Sequence, residues 1–235
     1  MTHLPRRGSA RRRAKKIALH AAVGLYTEIA RPLMRAKGFR ADTCILGTRV
    51  AIQVMKRLGF PAYAVKTRAS VYNPQFVARV EREGGRFPRD KDESLAWYEE
   101  DGAHMIAIDT TPTAKGYPGH LVAIVGGTFL LDSALDQFSE NSKWLDYEVP
   151  GASAFFLPPE VKWTVASYGL PGGGAVVYER LPEVDWTDAP DWTFDEKTGL
   201  FSDIVNVLVQ AVRFEAKGRS FEIVSHDPRR REVIP

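Results

Sequence analysis

The sequence predicts an α+β fold, with helices leading into an antiparallel sheet. Three observations carry this. Apolar residues recur at three- and four-residue steps from Ile17 to Met34, the spacing of one helix face. Ala62 to Tyr72 is rich in β-branched and aromatic residues, as strands are. The apolar runs His120–Val125 and Thr128–Asp132 flank Gly126-Gly127 and read as a hairpin. A chain of 235 residues with 44% hydrophobic content can bury one sizeable core, so a single elaborated domain is expected.

The first helix is expected from about Ala10 to Lys37, with Ser9 as N-cap, Gly38 as its stop and a kink or division at Pro32. A second helix opens at Cys44, with Asp42 and Thr43 both suited to cap it, and ends at Gly59. The strand Ala62–Tyr72 follows. Residues 73–102 read as a partly helical insertion with a turn-rich loop from Gly84 to Asp90. His104–Ile108 is a strand, residues 110–119 a loop, and the hairpin comes next. Beyond Pro150, strands are expected over Val161–Val165, Ala175–Tyr178 and Phe221–Val224, with a helix over Phe201–Phe214. The domain reading is a basic tail over 1–16, a catalytic core over 17–150, and an extension over 151–235 that packs on or completes the core.

The 32 basic and 29 acidic residues nearly cancel, so the net charge of +3 gives no general polyanion-binding surface. The charge is unevenly placed, crowding Arg6 to Lys16 and Arg229 to Arg231. These segments read as solvated tails; the N-terminal arm would support at most weak, nonspecific nucleic-acid contact, because no aromatics interleave its charges. No apolar run reaches the roughly 20 residues of a membrane-spanning helix, so no membrane partner is expected. One cysteine excludes an intramolecular disulfide and any multi-cysteine zinc site. A soluble, cytoplasmic protein is the expectation. Oligomeric state has no signature.

That single cysteine is the candidate nucleophile. A thiol attacks as its thiolate, and the unpaired N–H groups of a helix N-terminus favour an anion there and can also receive a developing oxyanion. A lone cysteine is also commonly a small buried hydrophobe, so Cys44 needs partners. His120 opens a strand after a loop, where its ring would project from an exposed rim as a general base. Asp132 closes the partner strand, where a buried carboxylate needs a donor such as an imidazole N–H. A two-residue turn at Gly126-Gly127 would put Asp132 and His120 on opposite faces. An odd-length turn or a bulge puts them on the same face, and that is the register expected. Gln137 is a candidate donor to an oxyanion or substrate carbonyl, and Tyr117 a candidate cover for the site. His104 and Asp109 have no metal-ligand spacing, so neither metal nor cofactor is expected.

Asp42-Thr43-Cys44 at a helix start, Leu58 to Val65 leading into a strand, Gly119-His120-Leu121-Val122-Ala123 and then Leu131-Asp132-Ser133 resemble the transglutaminase-like, papain-like cysteine superfamily over roughly residues 40–140. Arylamine N-acetyltransferases share this order. The resemblance implies a papain-like core, with Cys44 as nucleophile, His120 as base and Asp132 as its orienting partner. The implied activity is hydrolysis of a peptide or isopeptide amide by a cysteine protease through an acyl-enzyme, with acyl transfer from a thioester donor as the alternative. The remaining readings are a nucleic-acid-binding protein using its basic arm and an inactive interaction scaffold.

Overall fold

The structure, a computed structural model, describes residues 7–38, 44–108, 119–140, 147–157, 163–182 and 199–218. It is a mixture of helices and one antiparallel sheet, an α+β architecture. In chain order the elements are α1 (Arg7–Ala36), α2 (Cys44–Arg57), β1 (Ala62–Tyr72), α3 (Pro74–Arg82), α4 (Lys91–Asp101), β2 (Met105–Ala107), β3 (His120–Val125), β4 (Phe129–Asp132), α5 (Gln137–Glu140), β5 (Ser153–Phe156), β6 (Val165–Gly169), β7 (Ala175–Arg180) and α6 (Leu200–Gly218).

α1 starts at Arg7, so the basic stretch expected as a tail is helical over Arg7–Lys16, with Arg11 to Lys16 exposed on it. The helix also runs through Pro32 instead of dividing there. Proline removes one backbone donor, and four residues from a helix end that loss is small beside the tertiary ties around it. Arg31 and Arg35, on either side of Pro32, both bind Asp136. Among the described residues no helix is long and apolar enough to cross a membrane.

The strand order is β5-β4-β3-β1-β7-β6, with β2 pairing the far half of β1. β1 is the spine: Ala62 to Thr67 pair with β3, and Thr67 to Tyr72 pair with β7. β5, β6 and β7 therefore complete the same sheet, with β7 next to its central strand. Phe155 of β5 stacks on Tyr168 of β6 at 4.4 Å, and the Tyr168 hydroxyl donates to the Phe156 carbonyl at 3.3 Å. These strands are the two ends of the order, so the sheet curls until its edges meet.

Two apolar cores result, one on each face. The outer face packs α1, α2 and α6 through Tyr26, Met34, Val50, Val54, Ile204 and Leu208 against Ala123, Val125 and Leu131. The enclosed face holds Val65, Val122, Ile124, Leu130, Val176 and Tyr178. Alternation along a strand makes this possible, since Leu130 and Leu131 face opposite cores. Trp163 is buried in the enclosed core. The insertion after β1 is two short helices with their own small cluster of Phe76, Val80, Trp97 and Ala103.

The expected odd-length turn is present. Val125 pairs with Phe129 and Ala123 with Leu131, leaving Gly126-Gly127-Thr128 as a three-residue connection. Gly126 and Gly127 have φ of +62° and +65°, a left-handed backbone that favours glycine. β5 and α5 were not expected. The strand placed at Val161–Val165 begins at Val165 instead, and the last strand expected at Phe221–Val224 lies outside the described residues.

Candidate active site

Cys44 is the first residue of the 14-residue helix α2 and is half-buried. Two contacts set the helix start against the strand ends. The Thr48 hydroxyl donates to the Leu121 carbonyl at 2.7 Å, one residue beyond His120. Gly47 lies on Ser133, one residue beyond Asp132, where an added Cβ would sit 3.1 Å from the serine Cβ. Glycine is unfavourable inside a helix, and here its missing side chain permits that close approach.

The same register places Asp132 opposite Val122, diagonal to His120 and on its face. His120 Nε2–H donates to Asp132 Oδ2 at 2.7 Å. Cys44 lies close enough to act on the same ring through hydrogen bonding and charge. The structure thus brings Cys44, His120 and Asp132 together from a helix start, a strand start and a strand end. His120 is not the exposed rim residue expected: it is fully buried, as is Asp132. Phe138 packs edge-on at 5.9 Å from the ring and Tyr178 lies nearly parallel to it at 6.3 Å.

Burial works against a charged imidazole, but the charge and hydrogen bond of Asp132, joined by the hydrogen bond and charge of Cys44, outweigh it and carry His120 up to about 10. Asp132 is itself fully engaged. Its Oδ2 also accepts from the Tyr178 hydroxyl at 2.8 Å, and its Oδ1 accepts from the Ala134 N–H at 3.0 Å. Burial first, and then the Asp132 charge and hydrogen bond, hold the Tyr178 phenol well above its ordinary range, so Tyr178 remains a donor.

Gln137 sits within the site, with its amide nitrogen 2.7 Å from His120 Nδ1. It opens α5, and the turn before it is anchored to α1. Arg31 Nε donates to both Asp136 oxygens at 2.9 and 2.7 Å, and Arg35 adds a contact at 2.6 Å. The Leu135 N–H donates to the Gly151 carbonyl at 3.1 Å. Tyr117, Asp42, Thr43 and Asp109 lie outside the described residues.

Sequence reasoning missed Tyr178, Thr48 and the Arg31–Asp136 pair. Gly47 carried a legible signal, an isolated glycine within helical spacing. Tyr178 carried none, since its place depends on which strand neighbours β1. Removing its hydroxyl has a defined consequence. When His120 loses its proton the Asp132 charge is left uncompensated, and the Tyr178 O–H stabilises that state more than the ion pair. Tyr178→Phe is therefore expected to move the His120 titration upward and to cost about 1 kcal/mol of stability. ¹⁵N-detected titration of the ring and thermal unfolding check both.

Comparison with known proteins gives no matching family model, no matching curated protein and no matching solved structure.

Proposed function

We propose that this protein is a cysteine-dependent acyl enzyme of papain-like, transglutaminase-like architecture that hydrolyses a peptide or isopeptide amide. The observation that carries the reading is the single imidazole joined on one side to a buried carboxylate and on the other to the chain's only cysteine. Three chemically matched groups from distant parts of the sequence meet in the order that nucleophilic catalysis needs.

The chemistry follows from the contacts. With Nε2 committed to Asp132, Nδ1 is the ring nitrogen left to take the Cys44 proton as the sulfur attacks. The sulfur attacks the carbonyl carbon and forms a C–S bond, and the carbonyl electron pair moves to oxygen. The start of α2 offers unpaired N–H groups to that oxyanion. As the intermediate collapses, Nδ1–H protonates the departing amine and the C–N bond breaks, leaving a thioester. Water then attacks while Nδ1 takes its proton, and the acid and the thiol are released. Throughout, Asp132 holds the ring and balances its charge, and Tyr178 and Ala134 hold Asp132.

Intact-mass measurement after exposure to p-nitrophenyl acetate and, separately, acetyl-coenzyme A tests the reading. The expected result is a 1:1 acetyl adduct from the ester on Cys44, absent in Cys44→Ala and decaying in buffer. A stable adduct from the coenzyme A donor that passes to an added arylamine would instead assign the site to acyl transfer. No adduct from either donor contradicts the reading.

A further inference from the structure

Gln137 has more to do at this site than the donation to substrate expected of it. Its side chain is largely buried, and one end of the amide meets His120 Nδ1 at 2.7 Å. The other end has no partner among the described residues. The carbonyl and NH2 ends of an amide fill nearly the same space, so the hydrogen-bond network decides which end faces the ring.

That network is one-sided. Nε2–H is held by Asp132 from β4, Cys44 from α2 shares the ring, and Tyr178 from β7 faces the carboxylate. Once the thiol proton moves to the imidazole, Nδ1 is a donor, and an amide NH2 facing it would set two donors against each other. A separation of 2.7 Å also fits a charge-assisted N–H···O bond. The raised His120 titration agrees with a charged ring.

We propose that Gln137 works with both ends of its amide: the carbonyl oxygen shares the Nδ1–H of the His120 imidazolium with the Cys44 sulfur until that proton passes to the leaving group, and the NH2 group faces the acyl carbonyl as an oxyanion donor. This rests on the acyl-enzyme reading above. The position is preorganised, because Asp136, the preceding residue, is fixed to Arg31 and Arg35. Cys44 and Gln137 converge on the same imidazole, so a carbonyl carbon bonded to the sulfur would have its oxygen near the amide.

The experiment compares two reactions of Cys44, alkylation by iodoacetamide and acylation by p-nitrophenyl acetate, because only the second develops an oxyanion. Gln137→Ala is expected to slow acylation about 10²-fold and alkylation by less than about tenfold. It is also expected to move the His120 titration down by up to about one pH unit, since an accepting oxygen is lost. Gln137→Glu keeps an accepting oxygen and removes the NH2 donor. It is expected to hold the titration at or above the wild-type position and keep alkylation, with acylation still low, and it serves if the alanine variant does not fold. An upward titration shift in Gln137→Ala would show the NH2 end facing the ring and overturn the proposal, as would wild-type acylation in either variant. Failure of the wild-type protein to acylate at Cys44 would instead sink the acyl-enzyme reading, and the Gln137 roles with it.

Discussion

His120→Ala is expected to slow acylation of Cys44 at neutral pH by at least about 10³-fold, within the range measured for loss of a positioned general acid–base group. In the proposed mechanism the imidazole has two jobs, taking the thiol proton before attack and delivering it to the leaving group afterwards. Its ring is completely buried and packed by Phe138 and Tyr178. Stopped-flow release of p-nitrophenolate checks the prediction. A loss below tenfold would mean that the reacting thiol does not depend on this ring.

Asp132→Ala is expected to damage both rate and stability. The substitution leaves His120 Nε2–H, the Tyr178 hydroxyl and the Ala134 N–H without their common acceptor at a fully buried position. Breaking a buried pair by removing one partner costs about 3–5 kcal/mol, which for a domain of this size corresponds to about 10 °C in Tm. Asp132→Asn keeps an acceptor oxygen and removes the charge, so its cost is smaller and its signature is a pH dependence. The folded His120 titrates near 10, against 6.5 for an ordinary histidine. The ion pair's contribution is therefore fully present below about pH 6.5 and is lost as pH rises through about 10. The wild-type protein is expected to lose a few kcal/mol across that window, and Asp132→Asn to lose much less. Urea unfolding at pH 6 and pH 10 measures both slopes, and equal slopes would show that Asp132 does not hold the proton.

Most of the local structure near the site was legible because its signals are local. Cys44 stands at a helix start, His120 at a strand start and Asp132 at a strand end, and pairing the last two on one face required an odd turn or a bulge between them. The three-residue connection at Gly126-Gly127-Thr128 meets that requirement. Burial of His120 was not legible. The ring sits under Phe138 and Tyr178, and the latter comes from a strand 58 positions later in the sequence that pairs with β1. Strand order in a curled sheet is set by which apolar faces close on one another, and a single strand's pattern does not encode its neighbour. The Arg31–Asp136 pair was hidden for the same reason. Its partners lie on α1 and in the turn after β4, and each alone reads as a surface charge. Pro32 misled because its local preference is real, but helix contacts with Asp136 on both sides of it prevail.

The most direct test of the claim that His120 and Asp132 activate Cys44 is the second-order rate constant for iodoacetamide at pH 6, compared with N-acetylcysteine. A simple thiol is almost wholly protonated there and reacts slowly. The expected result is that Cys44 reacts at least about tenfold faster than the free thiol, and that this advantage disappears in His120→Ala. A wild-type Cys44 that reacts no faster than N-acetylcysteine would contradict the claim.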